Sequence, residues 1–208
     1  MSSFFKKKPQ APSMIESAQQ ALEELRTEFS DDVLRRSLVI NDKVSRLGSK
    51  KLEYFNELLG ITDDVGDRVW PLFESFRNAK VVLEVEGFMA SVVASAVKSS
   101  DLPEHEKLPI IDIYLDLWTG GMVDRDPSLN GTTLRGSIDR MWQGTIPGIL
   151  RAAANAEAVK LGFPNPPLVL ARALDQLCGV HRSETAQIEA GAVLKDAIID
   201  AMLAVRAL

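Results

Sequence analysis

Residues 80–98 read Lys80-Val-Val-Leu-Glu-Val-Glu-Gly-Phe-Met-Ala-Ser-Val-Val-Ala-Ser-Ala-Val-Lys98. Wound as a helix, Val81, Val82, Leu83, Val85, Phe88, Met89, Val92, Val93, Ala96 and Val97 cover most of the circumference. Only Glu84, Ser91, Ser95 and Lys98 form a narrow polar stripe. A helix that is apolar nearly all round belongs in the middle of a bundle, because no face of it gains from water. The strand formers of Val81–Glu86 leave a short strand open as the alternative. Glu86 falls on the apolar side, level with Val82, Met89 and Val93. A buried carboxylate must find a donor or stay protonated. The readings are a pocket residue with a raised pKa, a side chain that snorkels out at the helix start, or a structural partner of an arginine such as Arg140 or Arg151.

Outward from this segment the pattern stays helical. Ser13 and Glu16 form a capping box, and Ile15, Ala18, Leu22, Leu25 and Phe29 follow at helical spacing. Asp31 and Asp32 open the next helix, Gly48 ends it, and Ser49 restarts one that Gly60 closes. Thr62 then reads as an N-cap, with Asp63, Asp64 and Asp67 favoured in the first turns by the helix dipole. Trp70-Pro71 marks a kink. Further helices are expected over 108–118, around 134–142, over 146–161 and over 168–177. A long last one capped by Ser183 carries the small residues Ala190, Gly191, Ala192, Ala197, Ala201 and Ala204. Such a surface admits close approach of another helix, in this chain or in a second subunit. The expectation is an all-α, multi-helix bundle of about eight to nine helices with an irregular glycine-rich segment at 116–148. Residues 1–12, with Phe4-Phe5 and Lys6-Lys7-Lys8, read as a disordered basic-aromatic tail. Residues 13–208 read as a single helical domain, within which 13–60 could form a separate helical hairpin.

Composition narrows the classes. The 208 residues are enough for one good core. The formal net charge of −5 argues against general nucleic-acid binding. No apolar run reaches the length of a membrane span, and the basic start lacks the apolar stretch of a secretory signal. The one cysteine, Cys178, allows no intrachain disulfide and reads as a small buried apolar residue. A cytoplasmic location is the default.

The segment 116–148 holds six of the 13 glycines and two of the three tryptophans, Trp118 and Trp142. Both can seal the core or anchor a partner surface, where Trp and Arg are enriched. Arg135 and Arg140, with Arg151, could bind an anion or pair with Asp124, Asp126 or Asp139. Asp112 and Asp116 lie four apart and could join Asp124 and Asp126 in an acidic pocket. The alternation Asp124-x-Asp126-x-Ser128-x-Asn130 resembles the start of a calcium loop. It has Leu129 where that loop needs glycine and Arg135 where it needs glutamate.

Asp63-Asp64-Val65-Gly66-Asp67 resembles the Asp-Asp-x-x-Asp motif with which helical isoprenoid synthases hold magnesium against a diphosphate. The resemblance covers this string alone, and Asn41-Asp42-Lys43-Val44-Ser45 matches their second motif only loosely, with Ser49 where a glutamate is required. His105 and His181 have no metal-ligand spacing, and the nucleophile elbow, phosphate loop and dinucleotide fingerprint are all missing.

Three functions remain. The leading expectation is a non-enzymatic helical protein–protein interaction protein, regulatory or adaptor in role. It needs no cofactor and binds another protein or a second copy of itself through Trp118, Asp124, Asp126, Arg135, Arg140 and Trp142, or through the small-residue last helix. The alternative is an enzyme using Mg²⁺ at Asp63, Asp64 and Asp67 on a phosphorylated or diphosphate substrate. The third is a small-ligand sensor with a pocket lined by Glu86, Trp118 and Trp142.

Overall fold

The computed structural model describes residues 31–47, 51–148 and 166–208. The chain is all-α: among the described residues there are seven α-helices and no strand. They are α1 (Asp31–Leu47), α2 (Lys51–Val69), α3 (Ala79–Lys98), α4 (Glu104–Arg125), α5 (Gly131–Arg140), α6 (Pro166–Cys178) and α7 (Glu184–Ala207). Two short 3-10 turns, Trp70–Leu72 and Glu74–Phe76, join α2 to α3, and a π turn, Met141–Thr145, extends α5. The basic-aromatic tail, the helix expected over 13–30 and nearly all of the alanine-rich helix expected over 146–161 lie outside the described residues.

Helix α3 is the hub. It packs on α2, α4, α5, the π turn, α6 and α7. Its β-branched residues make no strand, because Asn78 caps the helix, accepting from Lys80 N at 3.0 Å and Val81 N at 3.1 Å. Burial on all sides then favours the form that satisfies its own backbone. Ser91, read as part of the polar stripe, is fully buried and donates to Gly87 O at 2.6 Å. At Gly87 a Cβ would sit 2.9 Å from Met141 Sδ, so its absence lets the π turn lie close against α3.

Two boundaries differ from the sequence expectation. Helix α2 does not stop at Gly60 and restart at Thr62. Its buried positions Phe55, Leu58, Ile61, Val65 and Val69 keep helical spacing through both. Thr62 is interior, donating to Leu58 O at 2.8 Å and sharing a 2.7 Å hydrogen bond with the Tyr114 hydroxyl. Asp63, Asp64 and Asp67 therefore lie in the second half of α2, where the helix dipole gives them no support. Helix α4 likewise runs through Gly120-Gly121, because Leu115, Trp118 and Met122 are buried one turn after another on either side of them. The irregular stretch expected over 116–148 shrinks to Asp126–Asn130. There Asp126 accepts from Ser128 N at 3.0 Å, and Asn130 caps α5 through Thr133 N at 3.0 Å.

The C-terminal pair closes the bundle. Gly179, at φ 70°, ends α6. Gly179 N bonds Gln176 O at 3.3 Å and Val180 N bonds Asp175 O at 2.8 Å, the two bonds of a Schellman cap. Ser183 caps α7 by accepting from Ala186 N at 3.3 Å. Arg182, between the two helices, pairs with buried Asp175 and also donates to Leu72 O. Its guanidinium lies 4.3 Å from the centre of the Phe73 ring. This ties the C-terminal pair to the α2–α3 connection. The small-residue surface of α7 is used within the chain, since Gly191 sits on the backbone of Pro167 in α6.

A Cβ at Gly191 would overlap the Pro167 carbonyl, and backbone cannot rotate aside as a side chain can. Gly191→Ala is therefore expected to destabilise the fold by about 3 kcal/mol despite its better helix propensity. Equilibrium urea unfolding measures this. A neutral or stabilising effect would show that α6 and α7 do not meet at this glycine.

Candidate functional site

Two concave features share the end of the bundle formed by α4 and α5. The first begins with a charge network. Arg135, on α5, donates to Asp116 and Asp112 on α4, at 2.8 Å in the case of Asp112 Oδ1, and to Asp139 Oδ1 at 3.2 Å. From the other side Lys43 of α1 reaches Asp116 at 2.6 Å and Asp112 at 3.3 Å. Burial pushes the Asp112 carboxyl up, but Arg135 and Lys43 outweigh it and hold the group below its ordinary value. The Asp116 hydrogen bond holds the Lys43 ammonium above its own. Spacing by four puts Asp112 and Asp116 on one face of α4, so one guanidinium and one ammonium can clamp both. The network fastens α1 and α5 to α4. It is the acidic pair of the sequence reading, neutralised in place.

Beside this clamp lies a groove of about 850 Å³ between α1, the second half of α4 and α5. Val39 and Ile40 form one wall and Val123 the other, with Gly120, Gly131 and Gly136 between them. At Gly120 and Gly136 a Cβ would meet nothing within 4 Å, so these glycines leave the groove open. Arg35 stands on the α1 side. Thr119 lines the groove with only 8% of its surface exposed, and its hydroxyl has no hydrogen-bond partner among the described residues.

The second feature surrounds Glu86. Ala79, Val82 and Glu86 share one face of α3 and form a wall of a cavity of about 510 Å³, closed by Met122 and Leu129 and flanked by Arg77 and Arg125. Glu86 is 6% exposed. Its Oε1 accepts from Trp70 Nε1 at 3.2 Å, while Oε2 is buried without a hydrogen-bond partner among the described residues. Burial pushes its pKa from 4.5 up to about 6, against the opposing charge of Arg125. Each arginine rests on a tryptophan: Arg77 lies 5.2 Å from the Trp70 ring centre and Arg125 5.4 Å from that of Trp118.

The sequence-derived site residues separate on this frame. Trp118 and Trp142 are buried, at 4% and 6% exposure, and pack in the core. They are not exposed anchors, and neither lines the Glu86 cavity. Trp142 Nε1 donates to Asp139 at 3.1 Å, joining the charge network from beneath. Arg135 is the centre of that network. Arg140 folds back on its own helix, donating to Gly136 O at 3.3 Å and Ser137 Oγ at 2.9 Å, and forms no pair with Glu86. Asp126 lines the Glu86 cavity from its own turn, and Asp124 is exposed on the last turn of α4.

Asp63, Asp64 and Asp67 are exposed but do not converge. Asp64 and Asp67 edge a depression of about 370 Å³ against α7, beside an Arg68–Asp200 ion pair of 2.5 Å. Asp63 is not part of that depression, and its negative charge helps to raise the pKa of Glu86 and of Tyr114. Among the described residues no three His, Cys, Asp or Glu side chains are grouped to hold a metal ion. The magnesium-site expectation lacks the geometry it needs. Cys178 is buried, and burial pushes its thiol up to about 12, far from a reactive thiolate. No helix among the described residues is long and apolar enough to cross a membrane. Comparison with protein-family models, curated proteins and solved structures finds no match to the chain.

Sequence reasoning missed Lys43, Arg77, Arg125 and Thr119. Lys43 meets Asp116 across 73 positions of sequence, a distance over which no local pattern gives a signal. The aromatic residues that seat Arg77 and Arg125 were the available hint.

Glu86 makes the fold pH-dependent in a definite direction. Between 4.5 and about 6 the folded state keeps a proton that the unfolded chain has released, so stability falls as pH rises through this window and levels off above it. The shift corresponds to about 2 kcal/mol. Glu86→Gln removes the titration and keeps an acceptor for Trp70. The stability of E86Q relative to wild type should therefore rise by about 2 kcal/mol between pH 4 and 7 in urea unfolding. A pH-independent difference would show that this carboxyl is not buried.

Proposed function

We propose that the protein is a non-enzymatic, regulatory or adaptor-type interaction protein that receives a helix of a partner protein in the groove between α1, α4 and α5. The occupant is an amphipathic helix with an apolar stripe for Val39, Ile40 and Val123 and an acidic residue for Arg35. What carries this reading is an open apolar groove walled by Val39, Ile40 and Val123. Glycines along the groove floor allow the close approach that a helix-in-groove contact requires. The carboxylates at the groove edge are already held by Arg135 and Lys43, which leaves the Arg35 cation to select an acidic partner. Val39 is 53% exposed and Leu38 beside it 64%, which supports a face that is covered in the assembled state.

A photo-cross-linking side chain at Val39 tests this in cells, with one at exposed Leu203 on α7 as control. The expected result is a discrete adduct from position 39 alone, mapped by mass spectrometry to an apolar-faced helix carrying an acidic residue. Gly136→Leu should abolish it by filling the groove, and the variant should fold at least as well as wild type, since an interior helix glycine costs about 1 kcal/mol. Arg35→Glu should weaken it. An adduct with a second copy of this chain would make the groove a self-association site. Equal labelling from both positions, or none from Val39, would refute the proposal.

A further inference from the structure

The Glu86 cavity lies on the other side of α4 from the groove, and no role in partner binding accounts for it. Its chemistry is specific. One carboxylate oxygen, Glu86 Oε2, is buried with no described donor. Two guanidiniums flank the same space, and among the described residues neither forms an ion pair with a carboxylate: Arg125 donates to Gly121 O at 3.4 Å and to Met122 Sδ at 3.1 Å, and Arg77 rests on Trp70. Both are weak uses of a group built for forked pairing with an anion. Asp126, the other carboxylate of the wall, is occupied by its own turn, its Oδ1 accepting from Ser128 N at 3.0 Å and Ser128 Oγ at 2.6 Å. Asp63, on α2, is the remaining charge that acts on Glu86.

The wall therefore combines the Glu86 carboxylate, whose buried Oε2 has no donor among the described residues, with two guanidiniums, set beside the apolar side chains of Ala79, Val82, Met122 and Leu129. A simple anion would satisfy the arginines and leave Glu86 dry and repelled. A simple cation would satisfy Glu86 and be repelled by the arginines. With Glu86 and Asp126 balancing Arg77 and Arg125, the charges of the wall cancel, so the ligand that fits is itself neutral overall and carries both signs. We propose that this cavity binds a small zwitterion of the α-amino-acid class, its ammonium group on Glu86 and its carboxylate between Arg77 and Arg125, with an aliphatic side chain against the apolar wall. The volume is within the range of small-molecule sites. Arg77 and Arg125 sit on Trp70 and Trp118, so occupancy should also change the fluorescence of this protein.

Titration of the full chain with each standard L-amino acid, followed by tryptophan fluorescence and calorimetry, tests the assignment. Saturable binding is expected for an aliphatic member such as L-leucine or L-methionine. 4-Methylpentanoate, which lacks the ammonium, and 3-methylbutylamine, which lacks the carboxylate, should each bind at least about tenfold more weakly. Glu86→Gln and Arg125→Gln should each weaken L-leucine binding by about tenfold or more. Arg77→Gln, at an exposed position, should do the same with an unchanged melting temperature, so a folding defect in the other variants cannot mask the result. Three outcomes would overturn the proposal: no amino acid binding at millimolar concentration, 4-methylpentanoate binding as tightly as L-leucine, or unchanged affinity in E86Q. Groove cross-linking from Val39 is independent of all three.

Discussion

Everything in this bundle depends on α3 being buried on every side. A helix with no solvent face needs neighbours all round, and α3 has six: five helices and the π turn. That demand sets the sizes of the residues around it. Gly87 is small where Met141 crosses, and Ala90 and Ala94 are fully buried. Dispersion and hydrophobic burial supply the attraction, but close packing supplies the specificity, because a gap or an overlap along α3 is felt by several helices at once.

The same constraint makes Glu86 unusual. On an amphipathic helix it would turn to water. On α3 it cannot, and a tryptophan, two nearby guanidiniums and a cavity are what surround it instead. Asp175 meets the opposite solution: it is equally buried, but Arg182 pairs with it directly, and the pair ties α6 to the α2–α3 connection. One buried carboxylate is spent on architecture. The other keeps an oxygen unsatisfied, which is why it reads as a site.

Polar groups elsewhere follow this division. The Asp112–Asp116–Arg135–Lys43 clamp is satisfied internally and holds three helices in register. Thr119, one helical turn from Asp116 on the same helix, lines the groove, and its buried hydroxyl has no hydrogen-bond partner among the described residues. Structural and candidate functional groups thus lie side by side on α4. What separates them is whether the described residues provide the partner.

The all-α class was legible in the sequence because it depends on periodicity, a local property. The apolar circumference of residues 81–97 announced a central helix, and Ser183 before α7 acted as a cap through a bond three residues long. The glycines misled where local preference met burial. Gly60, Gly120 and Gly121 looked like breaks, yet the buried residues beside them carried α2 and α4 straight through. The tryptophans, which the sequence left open between core and interface, are buried for the same reason. Glu86 was visible as an anomaly and as a candidate pocket residue, but the two arginines beside it and the buried hydroxyl of Thr119 were not. Those are relations between residues far apart in the chain, and only packing in three dimensions decides which charges meet, which cancel, and which are left without a partner.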